Sequence, residues 1–335
     1  MNYQEFRCEF LERMKEVMEE GVSITTEKIN KNNGVVMEGL VLKSENARVA
    51  SIFYMEDYFS YWERGVPLEQ LVRKVMWQFE HCKPQMDVEA DFFQNYQEIK
   101  ENICFKLINY ERNRELLKKV PHKRILDLAM VFYYRIQKDE TMQATILIEY
   151  AHLNAWKITQ EELIENAKRY TYLKLPAEFI NMKGLLGLVQ GKEKQMYVLT
   201  NKERSLGAGT FLYPGVLKQA EELLGERFYV LPSSIHECIL IPEEEGMYQE
   251  ALTEIVTEIN ESQVDPKEVL SDQAYFYSAE DKRVHLSSPV LLNVSSITFM
   301  RERSNHVSKD QCRRDVGGKR HHHQSTAGTC EKGTV

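Results

Sequence analysis

The chain has 335 residues, 43% of them hydrophobic and 10% aromatic, with a formal net charge of −8. That length and apolar content suffice for two domains with hydrophobic cores and exclude disorder throughout, while the acidic balance disfavours a nucleic acid partner held over a broad surface. No run of about eighteen apolar residues occurs, and the charged, amphipathic opening MNYQEFRCEFLERMKEVMEE is no secretion signal, so no membrane partner and a cytoplasmic location are expected. Cys8, Cys82, Cys104, Cys238, Cys312 and Cys330 are scattered without a C-x-x-C pair and read as free thiols in a reducing compartment.

The first element is a helix: Tyr3, Phe6, Phe10, Met14, Val17 and Met18 recur at three- and four-residue steps, and Gly21 stands where it would stop. Two strands joined at Asn33-Gly34, a dipeptide suited to a tight hairpin, follow in VSITTEKINKNNGVVMEGLVLKS. ARVASIFYMED reads as a third strand, and VPLEQLVRKVMWQFEHC as a helix with Leu68, Leu71, Val72, Val75, Met76 and Phe79 on one side. The stretch from Asp87 to Val120 reads as helix, short strand and helix. RILDLAMVFYYRI and QATILIEYAH read as neighbouring strands, and ITQEELIENAKRYT as the helix after them. LKLPAEFINMKGLLGLVQGKEKQ reads as one short apolar helix with a polar exit.

QMYVLTN and AGTFLY then suggest two strands before a helix that Pro214 opens and Gly225 closes. RFYVLPS and HECILIP are further strands, GMYQEALTEIVTEINESQV is a helix, and AYFYSAEDKRVHL is a closing hairpin. The order strand, strand, helix recurs weakly. The expected fold class is therefore α+β, with mixed or antiparallel sheets and helices on one face. The expected domains are residues 1–190 and 191–288, divided in LVQGKEKQ. The remaining 289–335 form a basic tail of net charge +4 with Phe299 as its one aromatic residue, expected to be disordered and foreign in composition to the rest.

Chemistry-bearing residues crowd LPSSIHECILIP, residues 231–242. If HECILIP is a strand, His236, Cys238 and Leu240 share one face and Glu237, Ile239 and Ile241 the other, so a thiol lies near an imidazole. One reading makes Ser233, Ser234, His236, Glu237 and Cys238 the catalytic residues of a hydrolase or transferase, with a thiolate or serine nucleophile. The other makes Cys238 core, His236 a strand-end hydrogen-bonding group, and the serines a turn. His122, Asp127 and His152 are candidate metal ligands or an acid and base, if the strands carrying them pair, with turn and cap roles as the alternative. NKERSLGAG, with Gly207 and Gly209, lacks the spacing and lysine of a phosphate loop and reads as a connection. The run His321, His322, His323 binds metal adventitiously. No cofactor is expected.

KLINYERNRELLKKVPHKRILDLAMVFYYRI, QATILIEYAHLNAW, MYVLTN and FYVLPSSIHECILIP, in this order, resemble a bacterial family of unknown function, DUF5688, over about residues 1–288. The resemblance implies a bacterial cytoplasmic setting and supplies no mechanism or catalytic residues. No nucleophile, metal or phosphate motif is complete. The preferred reading is accordingly a binding or interaction module whose partner is a protein or a small molecule, and the alternative is the hydrolase or transferase above.

Overall fold

The computed structural model describes residues 1–45, 50–81, 95–137, 143–182, 196–244 and 249–286. The expected boundary near residue 190 and the segment 289–335 lie outside the described residues. Every strand pairing described is antiparallel, helices pack on the sheets, and no strict repeat links them. Contacts divide the described chain into two units, both discontinuous in sequence: one of Met1–Ile103 and Tyr133–Ile158, the other of Cys104–Phe132 and the chain from Thr159 onward.

In the first unit, helix α1 (Tyr3–Val17) starts at a capping box, in which the Asn2 side chain accepts the Glu5 N–H and the Glu5 carboxylate accepts the Asn2 N–H at 2.8 Å. Phe6, Phe10 and Met14 are fully buried, as their spacing requires; Val17, at the last turn, is exposed. Strands β1 (Val22–Asn30) and β2 (Val36–Ser44) form the expected hairpin, with Asn33 and Gly34 both at positive φ. Gly39 in β2 has no room for a side chain, since a Cβ there would lie 2.5 Å from Ile29 and 2.8 Å from Ile52.

Strand β3 (Ser51–Tyr54) ends earlier than expected, and helix α2 (Met55–Glu63) takes over. Its aromatic run YFSYW suits either state, and helix wins because Met55 and Tyr58 then enter the core. Helix α3 (Leu68–His81) buries Leu71, Val72, Val75 and Phe79 against α1 and β2. The buried Tyr58 hydroxyl donates to Gln78 at 2.7 Å, which satisfies both groups inside this apolar cluster.

The short helix α4 (Tyr96–Ile99) precedes β4 (Ile103–Asn109), and α5 (Arg114–Leu117) leads to β5 (His122–Ile125). RILDLAMVFYYRI is not one strand: a tight turn at Leu126-Asp127 separates β5 from β6 (Leu128–Gln137) and pairs Ile125 with Leu128. Leu126 adopts φ 56°, which permits this reversal. Strand β7 (Gln143–Leu147) pairs with β6, and helices α6 (Tyr150–Trp156) and α7 (Gln160–Lys174) follow.

The second unit holds a six-stranded sheet of order β13 (Arg283–His285), β12 (Tyr275–Ser278), β10 (Arg227–Leu231), β11 (Cys238–Pro242), β9 (Tyr197–Asn201) and β8 (Ala177–Asn181). LKLPAEFIN supplies strand β8 (Ala177–Asn181), a strand the sequence reading did not anticipate, paired along its length with β9 (Tyr197–Asn201); residues 183–195 of the stretch expected to hold a short apolar helix lie outside the described residues. AGTFLY is likewise not a strand but a 3₁₀ turn over Gly207–Leu212. The Thr210 hydroxyl donates to the Gly207 carbonyl and tightens it. Helix α8 (Val216–Leu224) ends as expected at Gly225, whose φ of 95° lets its N–H reach the Glu221 carbonyl at 2.8 Å.

Strands β10 (Arg227–Leu231) and β11 (Cys238–Pro242) alternate cleanly. Tyr229, Leu231, Ile239 and Ile241 meet helix α9 (Gln249–Gln263) through Leu252 and Val256. The opposite face carries Cys238, Leu240, Phe228 and, from β12 (Tyr275–Ser278), Tyr275 and Tyr277; Phe228 stacks on Tyr277 at 4.5 Å. The hairpin closes in the edge strand β13 (Arg283–His285). Among the described residues, no helix is long and apolar enough to cross a membrane.

Candidate functional site

The corner between β10 and β11 is held from two sides. Ser271 and Leu270 donate their N–H groups to the carbonyls of Pro232 and Ser233 at 3.0 and 2.9 Å, and Ile235 donates to Glu268 O at 2.9 Å. From the other side, the Gly207 N–H and the Thr200 hydroxyl both donate to His236 O, at 3.0 and 2.8 Å. Strand β11 therefore starts at Cys238 and not at His236, because the His236 carbonyl is engaged outside the ladder.

The side chains have separate partners. Ser234 Oγ accepts the His236 N–H at 3.1 Å, and half-buried Ser233 contributes its carbonyl. His236 Nδ1 accepts the Leu206 N–H at 3.2 Å, which places the ring proton on Nε2, 3.6 Å from a Glu268 carboxylate oxygen. Cys238 is fully buried and its Sγ donates to Ala208 O at 3.4 Å. Burial pushes the Cys238 thiol far above the usual thiol range, so it is uncharged at neutral pH. Burial also raises the Glu237 carboxyl, with the nearby His236 and Arg204 opposing the shift.

His122 and Asp127 lie in the second unit and His152 in the first. His122 Nδ1 donates to Val120 O at 3.0 Å. Asp127, at the β5–β6 turn and not inside a strand, accepts from the Ser271 hydroxyl at 2.7 Å and the Tyr275 hydroxyl at 2.5 Å. Ser271 and Tyr275 are both fully buried, and burial together with the Asp127 charge raises the Tyr275 phenol well above its ordinary range. His152 caps α6, its Nδ1 accepting the Glu149 N–H at 2.9 Å, and stacks on Trp156. Among the described residues, no group of three or more His, Cys, Asp or Glu side chains is placed to hold a metal ion.

The cap carries a pH dependence. Burial lowers the His152 pKa below its ordinary 6.5, against the opposing pull of Glu149. The unfolded chain then binds the proton more readily, so stability is full above the unfolded pKa and is lost as pH falls through the folded one. Urea unfolding of the parent and His152→Gln, which cannot titrate, should show the parent losing ground between about pH 7.5 and about pH 5. A constant difference across that range would show that His152 titrates alike in both states.

A cavity of about 590 Å³ opens on the Tyr275–Tyr277 face of the six-stranded sheet. Its apolar surface comes from Leu126 at the β5–β6 turn, Phe211 in the 3₁₀ turn, Leu217 on α8, and Val284 on β13. Lys218 comes from the first turn of α8, while Lys282 and Arg283 come from the β12–β13 hairpin. Glu221 is the one carboxylate in the lining; it accepts the Tyr277 hydroxyl at 2.9 Å, and burial with this bond pushes the Tyr277 phenol up to about 12. Among the described residues, none of the three cations forms an ion pair. Two non-glycine residues of the lining, Leu126 and Lys282, hold left-handed backbone at φ 56° and 57°, a conformation that costs about 1 kcal/mol or more each.

The sequence matches the profile of a family of unknown function over residues 3–279, and this span contains the whole PSSIHE corner and the Asp127 cluster. The chain belongs to DUF5688. No curated protein and no solved structure matches it. The DUF5688 match includes Lys218 and Glu221 and ends before Lys282 and Arg283. Sequence reasoning missed the cavity in this DUF5688 chain because its lining comes from three stretches far apart in sequence. The hairpin tip reads Glu280-Asp281-Lys282-Arg283, two acids beside two cations, so its local charge balances and no signal in the sequence marked the cavity.

Proposed function

We propose that this member of DUF5688 is a bacterial cytoplasmic binding module and not an enzyme. The observation that carries the reading is the state of the most reactive-looking segment: the thiol and the imidazole are each tied to a backbone group, Cys238 to Ala208 and His236 to Leu206, and the thiol has no exposure. A nucleophile needs thiolate character and access, and both are lacking. The free cysteines Cys8, Cys104 and Cys238 suit a reducing compartment, and the bacterial setting rests on the resemblance in sequence.

Alkylation with iodoacetamide, followed by peptide mass mapping, tests this. Exposed Cys8 should react rapidly in the native protein, and Cys238 should react only on denaturation. Rapid native alkylation of Cys238 that slows in His236→Gln would replace the binding module with a thiol enzyme.

A further inference from the structure

The overall charge of the protein makes the cavity unusual. Residues 1–288 carry −12, yet the cavity lining gathers Lys218, Lys282 and Arg283 around one carboxylate that is already engaged by Tyr277; of the two acids that precede Lys282 in the hairpin turn, Glu280 and Asp281, neither lines the cavity, and Asp281 is engaged by His285 and the Arg283 N–H. Cationic side chains without ion pairs beside a low-dielectric apolar wall attract an anion, and the apolar wall rewards a ligand with a body to bury. The volume, about 590 Å³, lies within the usual range for small-molecule sites and suits a ligand larger than a bare inorganic ion. Glycine at N-cap position 215 brings the first turn of α8 to the same lining, adding the positive end of the helix dipole. Leu126 and Lys282, two of the six non-glycine residues with left-handed backbone among those described, sit in hairpin turns that bring an apolar contact and a cation to this lining.

We infer that the cavity binds a small amphiphilic anion, a carboxylate or phosphate monoester head on a compact apolar body, with Lys282, Arg283 and Lys218 around the head and Phe211 and Val284 against the body. The inference rests on the binding-module reading and gives it a ligand class. It concerns this chain and not the family, because two of the cations lie beyond the matched residues.

Isothermal titration with 4-phenylbutyrate, phenyl phosphate, inorganic phosphate and 4-phenylbutylamine tests it on the full chain. At least one of the first two should bind saturably, and which one binds identifies the head group. Inorganic phosphate should bind about tenfold more weakly or worse for want of an apolar body, and the amine should not bind. The double variant Lys282→Gln, Arg283→Gln, on exposed hairpin positions, should lose about tenfold or more in affinity at unchanged thermal stability. Absence of saturable binding by both organic anions, equal binding of the amine, or an unaffected double variant overturns the inference. An unreactive Cys238 alongside such a result leaves the binding module standing without this cavity as its seat.

Discussion

Gly207→Ala should destabilise the second unit by about 3 kcal/mol or more. The backbone at Gly207 is not left-handed, so the effect comes from space alone. A Cβ there would overlap Thr200 Oγ1 and approach Asn201 N to 2.6 Å and His236 O to 2.8 Å. Thr200 cannot simply rotate away, because its hydroxyl donates to His236 O, and the Gly207 N–H donates to the same carbonyl. Relief therefore means pulling the 3₁₀ turn off the PSSIHE corner, which also removes the acceptor of the Cys238 thiol. Gly209→Ala is the control: its Cβ would meet chiefly the Phe105 ring edge at 2.8 Å, and a ring can shift. Urea unfolding of both variants measures the difference, with Cys238 alkylation reporting whether the corner has opened. A Gly207→Ala protein within about 0.5 kcal/mol of the parent would show that the turn does not press on the corner.

The second large effect concerns Asp127. Its carboxylate, itself half-buried, is the acceptor for two fully buried hydroxyls, those of Ser271 and Tyr275, so Asp127→Ala removes the acceptor of both. The expected loss is about 3 kcal/mol, since each unsatisfied buried group costs about 1–3 kcal/mol. Asp127→Asn keeps a carbonyl acceptor for one of them and should lose less. In a double-mutant cycle with Tyr275→Phe, the two changes should be non-additive by about 1 kcal/mol or more, because they delete the same bond. Additive losses would place the Asp127 contribution elsewhere, for instance in the bond its carboxylate accepts from the Ser271 hydroxyl.

The suggestive side chains of the sequence already have structural partners. Asp127 was a candidate ligand or base, and His236 with Cys238 a candidate catalytic pair. Each is committed to a hydrogen bond that holds loops onto the six-stranded sheet. The cations of the cavity differ, because their charged ends have no ion-pair partner among the described residues.

Local physics made much of the architecture readable from the chain alone. Phe6, Phe10 and Met14 declare an inward helix face by period; Asn33-Gly34 declares a hairpin by its tolerance of positive φ; Gly225 declares a helix end for the same reason. The alternation of Cys238 and Leu240 against Ile239 and Ile241 gave the two faces of β11 before any partner strand was known. Each signal depends on residues within one or two turns of each other, where backbone sterics and burial act directly. The tertiary structure alone decided the rest. Asp127 meets Ser271 and Tyr275 across 144 and 148 residues of sequence, so nothing near Asp127 announces its role. AGTFLY lies in a 3₁₀ turn whose first N–H groups, those of Gly207 and Ala208, donate to the carbonyls of His236 and Ile235 in the corner, a distant segment that no local propensity in AGTFLY announces. The cavity exists only where the β5–β6 turn, α8 and the last hairpin come to one face, and no propensity or period carries that information, because it is set by packing between distant segments.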